Sequence, residues 1–540
     1  MSEFISGMGL RMRSFDKKYI LKSGSFGCRF FIWIMKRVFL NDMQKNRIKY
    51  YFLLLFFLTS AISHAQEVNY FTGPPIKNFD DENFKIIGSQ GHNLYTFNGK
   101  DNNYYLTTYD TDSLKIISTV RIPLPPIDSV KYYLRDYFVR NDTIIIFYSF
   151  YQNWRFTEKL EMITFSSDGK KFGEAKFIDD SYGFDRKKYS RFYITENKDK
   201  SEILSYSYNV EKDSLKLRIN RISYSGKILS TEEFKFEADK IYYGSLRNDV
   251  DGNVYLVSRD RRRKRNVQWQ LQVYANNTDS VFKIDLKLPA EKNVFLINEF
   301  ELYYDSDETV LLATPYSLEQ QKFLAKGIYI LRMNMKTHKL VSERVVPFKT
   351  AKDTLEKSEG FSLRSCFLTD CLPLTNKGKR FLFESRLEIL QKVYGITVSK
   401  EYDMGNIFTV DMDSSFNVTE IHKIKKQQYS SVDAFKFIGF TSLCRDNETY
   451  FIYNELPENI SKSPDDMKPL KTGKLDESGV IYTKLGQDKV SRKILIPKTG
   501  PKNVDLLLPW SSFVSRPENE MFVVRKIKDD FFLTKIVLTK

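Results

Sequence analysis

The sequence predicts an all-β protein built as one β-propeller of about eight four-stranded antiparallel blades, with seven as the alternative count. Three observations predict it. Short apolar runs of strand length recur along the chain at intervals of 50 to 71 residues. Turn-forming residues separate these runs, and no long stretch shows the 3.6-residue spacing of an amphipathic helix.

The clearest repeating element is the second strand of each unit, in which a polar turn leads into an aliphatic or aromatic run. The first apolar positions of these runs are residues 94, 144, 203, 254, 310, 381, 450 and 521. Eight copies of a short meander at this period fit radial sheets around a central axis. The last three intervals are long, so the count falls to seven if one late unit is an insertion.

A third and a fourth strand follow each second strand, across turns rich in Asp, Asn, Ser and Gly, which favour tight backbone turns. The predicted fourth strands include residues 116–122, 228–236, 281–288, 340–346 and 494–496. The eighth unit ends after its third strand at Lys540. Because an open sheet edge invites aggregation, we expect residues 68–71 from the other terminus to close the ring.

One copy carries a recognisable motif at residues 249–256, where an acidic turn and Gly-Asn enter a strand. This stretch resembles the blade motif of NHL-type and SMP-30-like propellers, and residues 91–95 match it in part. The resemblance implies a propeller superfamily and no functional family. Asp249, Asp251 and Asn253 also imitate a calcium loop, but Val254 stands where that loop requires Gly, so we predict no metal there.

The N-terminal region differs from the repeats. Residues 43–65 have a basic start, an apolar run over 50–62 and the small residues Ser63 and Ala65 that a signal peptidase reads. The run is shorter than the roughly 20 residues that span a bilayer. We therefore expect a secretory signal peptide cleaved after Ala65, with residues 1–42 an over-translated extension and 66–540 the propeller domain. The alternative is a membrane anchor or a buried strand.

Composition restricts the partners of the exported chain. Residues 1–65 hold 11 of the 84 Lys and Arg and 3 of the 68 Asp and Glu, which leaves residues 66–540 a net charge of +8. A charge this mild does not point to nucleic acid. We expect a protein of the periplasm, cell surface or extracellular space, with no membrane span after cleavage. Cys366 and Cys371 could close a small loop, but the odd count of three cysteines in residues 66–540 argues against a disulfide framework.

Strand direction predicts which end of the propeller meets a ligand. Antiparallel strands alternate direction, so all loops between second and third strands lie on one face, here called the 2–3 face. The longest predicted loops are of this class, at residues 150–159, 259–268, 315–326, 384–405 and 454–478. Elaborated loops on one end of a rigid scaffold are the usual way to build a binding surface.

Two of these loops combine basic and aromatic side chains. The candidate ligand-binding residues are Tyr151, Trp154, Arg155, Arg261, Arg262, Arg263, Lys264, Arg265 and Trp269. Basic groups beside aromatic platforms suit anionic glycans, phosphates or nucleic acid. The alternative for the basic run is a solvated hairpin tip, which charged residues make soluble. Trp269 equally suits a position in the core of a blade.

Catalytic signatures are weak in this sequence. Only His92, His338 and His422 follow the signal peptide, and no standard zinc, phosphate-loop or serine-hydrolase motif occurs there. We predict no catalytic residues, metal or cofactor. The expected function is an exported, non-catalytic binding or scaffold propeller that recognises an anionic glycan, another polyanion or a cell-envelope protein. The alternative is a polysaccharide-acting hydrolase or lyase, which the fold permits by analogy.

Overall fold

The computed structural model describes residues 68–539 except 78, 80–83, 101–102, 123–131, 141–142, 153–156, 167, 169, 183–191, 197–201, 212–213, 238–240, 261–268, 277, 279, 288–293, 297–299, 319–323, 349–362, 365, 394–395, 464–465, 487–489, 498–504 and 516–518. The predicted extension and signal peptide, residues 1–42 and 43–65, lie outside the described residues.

The first half of the described chain forms four sheets of four antiparallel strands, which we number as blades in chain order. After β1 (Val68–Pro75), blade 1 contains β2 (Lys85–Gln90), β3 (Asn93–Lys100), β4 (Asn103–Asp110) and β5 (Ile116–Ile122). Blade 2 contains β6 (Tyr132–Arg140), β7 (Thr143–Gln152), β8 (Thr157–Ser166) and β9 (Lys176–Tyr182). Blade 3 contains β10 (Tyr193–Glu196), β11 (Glu202–Glu211), β12 (Ser214–Ser223) and β13 (Ile228–Glu237), and blade 4 contains β14 (Ile241–Asn248), β15 (Val254–Asp260), β16 (Trp269–Tyr274) and β17 (Val281–Asp285).

The second half repeats this plan with additions. Blade 5 contains β18 (Val294–Leu296), β19 (Glu301–Ser306), β20 (Thr309–Leu318), β22 (Gly327–Asn334) and β23 (Leu340–Pro347), and β21 (Leu324–Ala325) pairs with β24 (Leu363–Arg364). Blade 6 contains β25 (Cys366–Pro373), β26 (Lys379–Val393), β27 (Ile396–Met412) and β28 (Val418–Ile424), extended by β29 (Gln428–Ser431) and β32 (Leu470–Lys471). Blade 7 contains β30 (Thr441–Arg445), β31 (Glu448–Glu455), β33 (Gly479–Leu485) and β34 (Val490–Ile496), and blade 8 contains β35 (Asp505–Ser515), β36 (Glu520–Ile527), β37 (Asp530–Leu538) and β1.

Eight apolar clusters join the eight blades into a closed ring, because each cluster draws its side chains from two neighbouring blades. Blade 2 shows how the sequence achieves this. Ile144 and Ile146 of β7 pack towards blade 1, while Ile145 and Phe147 pack towards blade 3. Successive side chains of a strand point to opposite faces, so a strand buried on both faces needs an unbroken apolar run.

The ring closes as the sequence predicts. The N-terminal strand β1 pairs with β37 in antiparallel register, with Val68 opposite Leu538 and Phe71 opposite Lys535. This pairing gives blade 8 its fourth strand. The count of eight blades is therefore confirmed, and all eight predicted second strands coincide with strands that hold that place in their blades.

The structure differs from the sequence prediction at one loop, and it answers the question that the sequence left open for Cys366 and Cys371. Residues 384–405 form most of a long hairpin between β26 and β27 instead of a loop, with Val393 paired to Ile396 near its tip. Cys366 and Cys371 lie on the same strand, β25, and neither forms a disulfide with another described cysteine. Both are buried, and an extended strand holds residues five positions apart well beyond bonding distance.

The helices of the described residues are short. Three 3-10 helices are Val432–Phe437, Pro457–Ser461 and Thr472–Glu477. Within the described part of the chain, no helix combines the length and apolarity that a bilayer crossing requires.

Candidate functional site on the 2–3 face

The structure describes two of the nine predicted site residues. Trp154, Arg155, Arg261, Arg262, Arg263, Lys264 and Arg265 lie outside the described residues. Trp269 begins β16 and is only 5% exposed in the apolar cluster between blades 4 and 5. Its ring is thus part of the core, which is the alternative position that the sequence left open for it.

Tyr151 belongs to a polar cluster at the 2–3 end of blade 2. Its hydroxyl donates to Glu158 Oε2 at 3.3 Å across the β7–β8 pair. Glu158 is buried and also accepts hydrogen bonds from the Arg135 guanidinium and the Ser149 hydroxyl. Burial and the nearby Glu158 carboxylate raise the pKa of Tyr151 to about 12. The Arg135 guanidinium lies 5.4 Å from the centre of the Tyr133 ring.

A second cluster, which the sequence analysis missed, lies where blade 6 meets blade 8. Arg386 of β26 places its guanidinium carbon 4.6 Å from the centre of the Trp510 ring and 5.4 Å from that of Phe367. Phe435 stacks against Trp510 at 5.7 Å and contacts Tyr402 at 4.2 Å. We call these five residues the Arg386 cluster.

Local backbone features bring Arg386 and Trp510 to this place. The pairing of β26 with β27 shifts register between Glu384 and Arg386, and that of β35 with β36 shifts between Leu508 and Ser512. Each extra residue of a bulge re-aims the side chains around it. Trp510 is the central residue of the bulged segment and stays 44% exposed.

The chain after β28 holds the Trp510 ring in place. Trp510 Nε1 donates to the Ile438 carbonyl at 2.8 Å. The next residue, Gly439, has φ of +97° and donates its N–H to Gln428 Oε1 at 2.8 Å. A side chain at Gly439 would start 3.2 Å from the Trp510 ring. Glycine therefore satisfies both the backbone angle and the close approach.

Arg386 contacts a buried ion pair between Glu384 and Lys426. The fully buried Lys426 places Nζ 2.9 Å from Glu384 Oε1, and Arg386 Nε donates to Glu384 Oε2 at 2.7 Å. Lys426 also donates to Gln428 Oε1 at 2.9 Å. Burial lowers the pKa of Lys426, while Glu384 acts in the opposite direction. Two basic side chains therefore share one carboxylate here.

Two further carboxyls lie near Lys426. Glu455 accepts hydrogen bonds from the Leu456 backbone and from Asn459 Nδ2, at 2.9 and 2.8 Å, and burial raises its pKa to about 7. Burial also raises the pKa of Asp403. Glu455 is fully enclosed, so it cannot contact a ligand in this conformation.

Other ionic groups of the described chain join neighbouring blades. The buried Asp179 of blade 2 accepts from Arg218 of blade 3 at 2.6 Å. Arg380 of blade 6 forms a two-pronged pair with Asp411 at 2.7 and 2.6 Å and reaches Thr449 of blade 7 at 3.0 Å. These contacts hold neighbouring blades together. Both carboxylate oxygens of Asp411 accept a hydrogen bond from Arg380.

The Asp411 pair bears on metal binding. Asp411, Glu420 and His422 bring ligand-type atoms within 4.8 Å of one another. Both Asp411 oxygens, however, already accept from Arg380. The group is therefore accounted for as an ion pair with polar neighbours.

The motif that resembles NHL-type blades has a structural role. Asp249 accepts hydrogen bonds from the Asp251 and Asn253 backbones, from Asn253 Nδ2 and from the Tyr255 hydroxyl. Asn253 Nδ2 also donates to the Met335 carbonyl of the next blade at 3.1 Å. The acidic turn therefore fixes its own backbone and contacts the neighbouring blade.

Taken together, the fold defines the class of this protein as an eight-bladed β-propeller closed by its N-terminal strand. No family model matches the chain, and no curated protein matches it.

Three solved structures illustrate what the chain is similar to. The WD40 domain of SCAP from fission yeast is 10% identical, with a TM-score of 0.38 over 88% of this chain and 99% of that one. The polysaccharide lyase Uly1 is 9% identical, with a TM-score of 0.39 over 78% and 91%. The β-propeller domain of the trilobed protease from Pyrococcus furiosus is 9% identical, with a TM-score of 0.35 over 78% and 98%. Likeness at this level carries no assignment of function.

Proposed function

We propose that this chain is an exported, non-catalytic propeller that binds an acidic polysaccharide across its 2–3 face. The observation that carries the proposal is the Arg386 cluster, in which an arginine held by a buried carboxylate lies beside an exposed tryptophan. Export rests on the sequence of residues 43–65, and the basic run 261–265 adds positive charge to the same face by the sequence prediction.

The arrangement of the two clusters favours a polymer over a small anion. Blades 2 and 6 are four places apart in a ring of eight, so the clusters around Tyr151 and Arg386 lie on opposite sides of the axis. The first strands of neighbouring blades contact one another and therefore line that axis. A chain molecule that crosses the mouth would meet both clusters, and separate contacts on one chain add through effective concentration.

A titration of the purified chain tests this function. We expect saturable binding to a polyuronate or a sulfated polysaccharide, no binding to neutral dextran, and a steep loss of affinity as salt rises, because salt screens exposed charges. Lys336→Ala is the matched control, since Lys336 lies in a turn between third and fourth strands on the opposite face. Absence of polyanion binding at low salt would refute the proposal.

The same titration separates the second hypothesis, a polysaccharide-acting hydrolase or lyase. New reducing ends or unsaturated products during incubation would establish turnover, whereas saturable binding without product supports the binding module. Export is tested separately, by sequencing the N-terminus of the protein released from the producing cell. We expect Gln66 as the first residue.

A further inference from the structure

The Arg386 guanidinium is held in place and is still able to bind. Its Nε donates to Glu384, and the Trp510 and Phe367 rings lie against its guanidinium carbon. Among the described residues, its two terminal amino groups donate no hydrogen bond, and the side chain is 26% exposed. A guanidinium fixed by packing loses little conformational entropy when a ligand binds.

The support beneath this arginine keeps it attractive to an anion. Glu384 would neutralise Arg386 if the two were alone. Lys426 lies 2.9 Å from the same carboxylate and is completely buried, so it offsets that charge without competing for a ligand. Arg386 therefore does not hold Glu384 alone, and its terminal amino groups remain to attract an incoming carboxylate where the local dielectric is lower than in water.

Apolar surface next to the guanidinium indicates what else the ligand carries. Trp510 and Phe367 are large, rigid and substantially exposed, at 44% and 36%. A compact inorganic anion would leave these rings in water. A flat ring with an apolar face and an attached carboxylate would cover them and reach the arginine at the same time.

We propose that the Arg386 cluster is a subsite for a uronic acid residue. The sugar ring lies against Trp510, and its carboxylate accepts hydrogen bonds from the two terminal amino groups of Arg386. This inference rests on the proposed function and gives it a specific sugar chemistry. Phe435 and Tyr402 extend the aromatic surface behind Trp510, so the next sugar of a chain would meet a further platform.

Calorimetry with a short oligouronate tests the subsite. The comparison ligands are the same oligomer with its carboxyls reduced to alcohols, and inorganic phosphate. We expect the reduced oligomer and phosphate to bind at least about tenfold more weakly than the oligouronate, which corresponds to one lost charge-assisted contact of roughly 1.4 kcal/mol.

Variants locate the binding. We expect Arg386→Lys, which keeps the charge and loses the planar fork, and Trp510→Ala each to weaken oligouronate binding at least about tenfold. Trp510→Phe should lose less, because it keeps a ring. Phe177→Ala removes an aromatic side chain that is 52% exposed on an outer strand and is the matched control, with no expected change. The thermal midpoint of each variant shows whether it is folded.

The outcomes separate this inference from the proposed function. If the unaltered chain binds long polyanions but Arg386→Lys and Trp510→Ala bind the oligouronate as tightly as it does, the subsite is elsewhere and the inference fails. Equal affinity for the oligouronate and its reduced form also overturns the inference. If the unaltered chain binds no polyanion, the proposed function itself fails.

Discussion

Blade 2 and blade 6 each place an arginine and a buried glutamate at the 2–3 end, but only blade 6 adds a second basic side chain to the pair. In blade 2, Arg135 pairs with Glu158, and Ser149 and Tyr151 share the same carboxylate. In blade 6, Arg386 shares Glu384 with Lys426. Blade 6 thus adds a buried lysine to the pair of arginine and glutamate that blade 2 also has.

This difference originates in the additional strands of blade 6. Lys426 and Gln428 come from the segment after β28, which pairs β29 with β27 beside the long hairpin. Blade 2 has four strands and no such additional strand among the described residues. A propeller can therefore make one blade chemically distinct by adding chain to it, while the shared scaffold stays unchanged.

The largest expected effect comes from removing the buried lysine. Lys426→Met should lower the free energy of unfolding by about 3–5 kcal/mol, because it leaves Glu384 buried with only one cation. Urea denaturation measures the change. The double variant Lys426→Met with Glu384→Gln is the control, and it should recover part of the loss because the buried charge is also removed. A single variant as stable as the unaltered protein would contradict the structure around Lys426.

A second prediction concerns two buried acids, one near the Lys426 ion pair and one in blade 2. Burial raises the pKa of Glu455 of blade 7 and of Asp136 of blade 2 to about 7. An acid whose pKa is raised by folding stays protonated in the folded state while the unfolded chain ionises. Its contribution to stability is complete below about pH 4 and is lost as the pH rises towards 7.

Glu455→Gln and Asp136→Asn should each flatten the dependence of stability on pH, by about 3 kcal/mol between pH 4 and pH 8 relative to the unaltered chain. Both amides can accept the backbone hydrogen bonds that the carboxyls accept, from Leu456 and Tyr137. Denaturation at several pH values checks this. If one variant shows the same dependence of stability on pH as the unaltered chain, the acid that it replaces is already ionised in the folded state, and the prediction fails for that acid.

A structural feature was predictable from the sequence when the residues that form it are close together along the chain. The second strands were predictable because an unbroken apolar run such as 144–147 reflects burial between two neighbouring blades. The closing strand was predictable because a missing fourth strand must be supplied from somewhere. The hairpin at 384–405 was not, because exposed positions such as Leu387 and Glu388 give it the composition of a loop.

The Arg386 cluster was beyond reach for a different reason. Phe367, Arg386 and Trp510 are separated by up to 143 positions in the sequence, and only the ring places them together. The available signal was Pro509-Trp510 inside a strand pattern, since proline in a strand indicates a bulge. Tyr151 was found because it lies next to a hairpin tip with basic and aromatic neighbours in the sequence itself.

The smallest expected effect is also the sharpest test of the comparison between the two arginines. Arg135→Lys should lower the free energy of unfolding by about 1–2 kcal/mol, because the hydrogen bond of Arg135 Nε to Ser149 at 2.6 Å is lost while a positive charge remains near Glu158. The same variant should leave oligouronate affinity within about twofold, since Arg135 is already paired. Arg386→Lys should show the reverse pattern, with a small loss of stability and a large loss of affinity. Denaturation and calorimetry on both variants therefore distinguish an arginine that stabilises its blade from one that is available to a ligand. Equal losses of affinity would mean that Arg135 of blade 2 binds the oligouronate as well as Arg386 of blade 6 does.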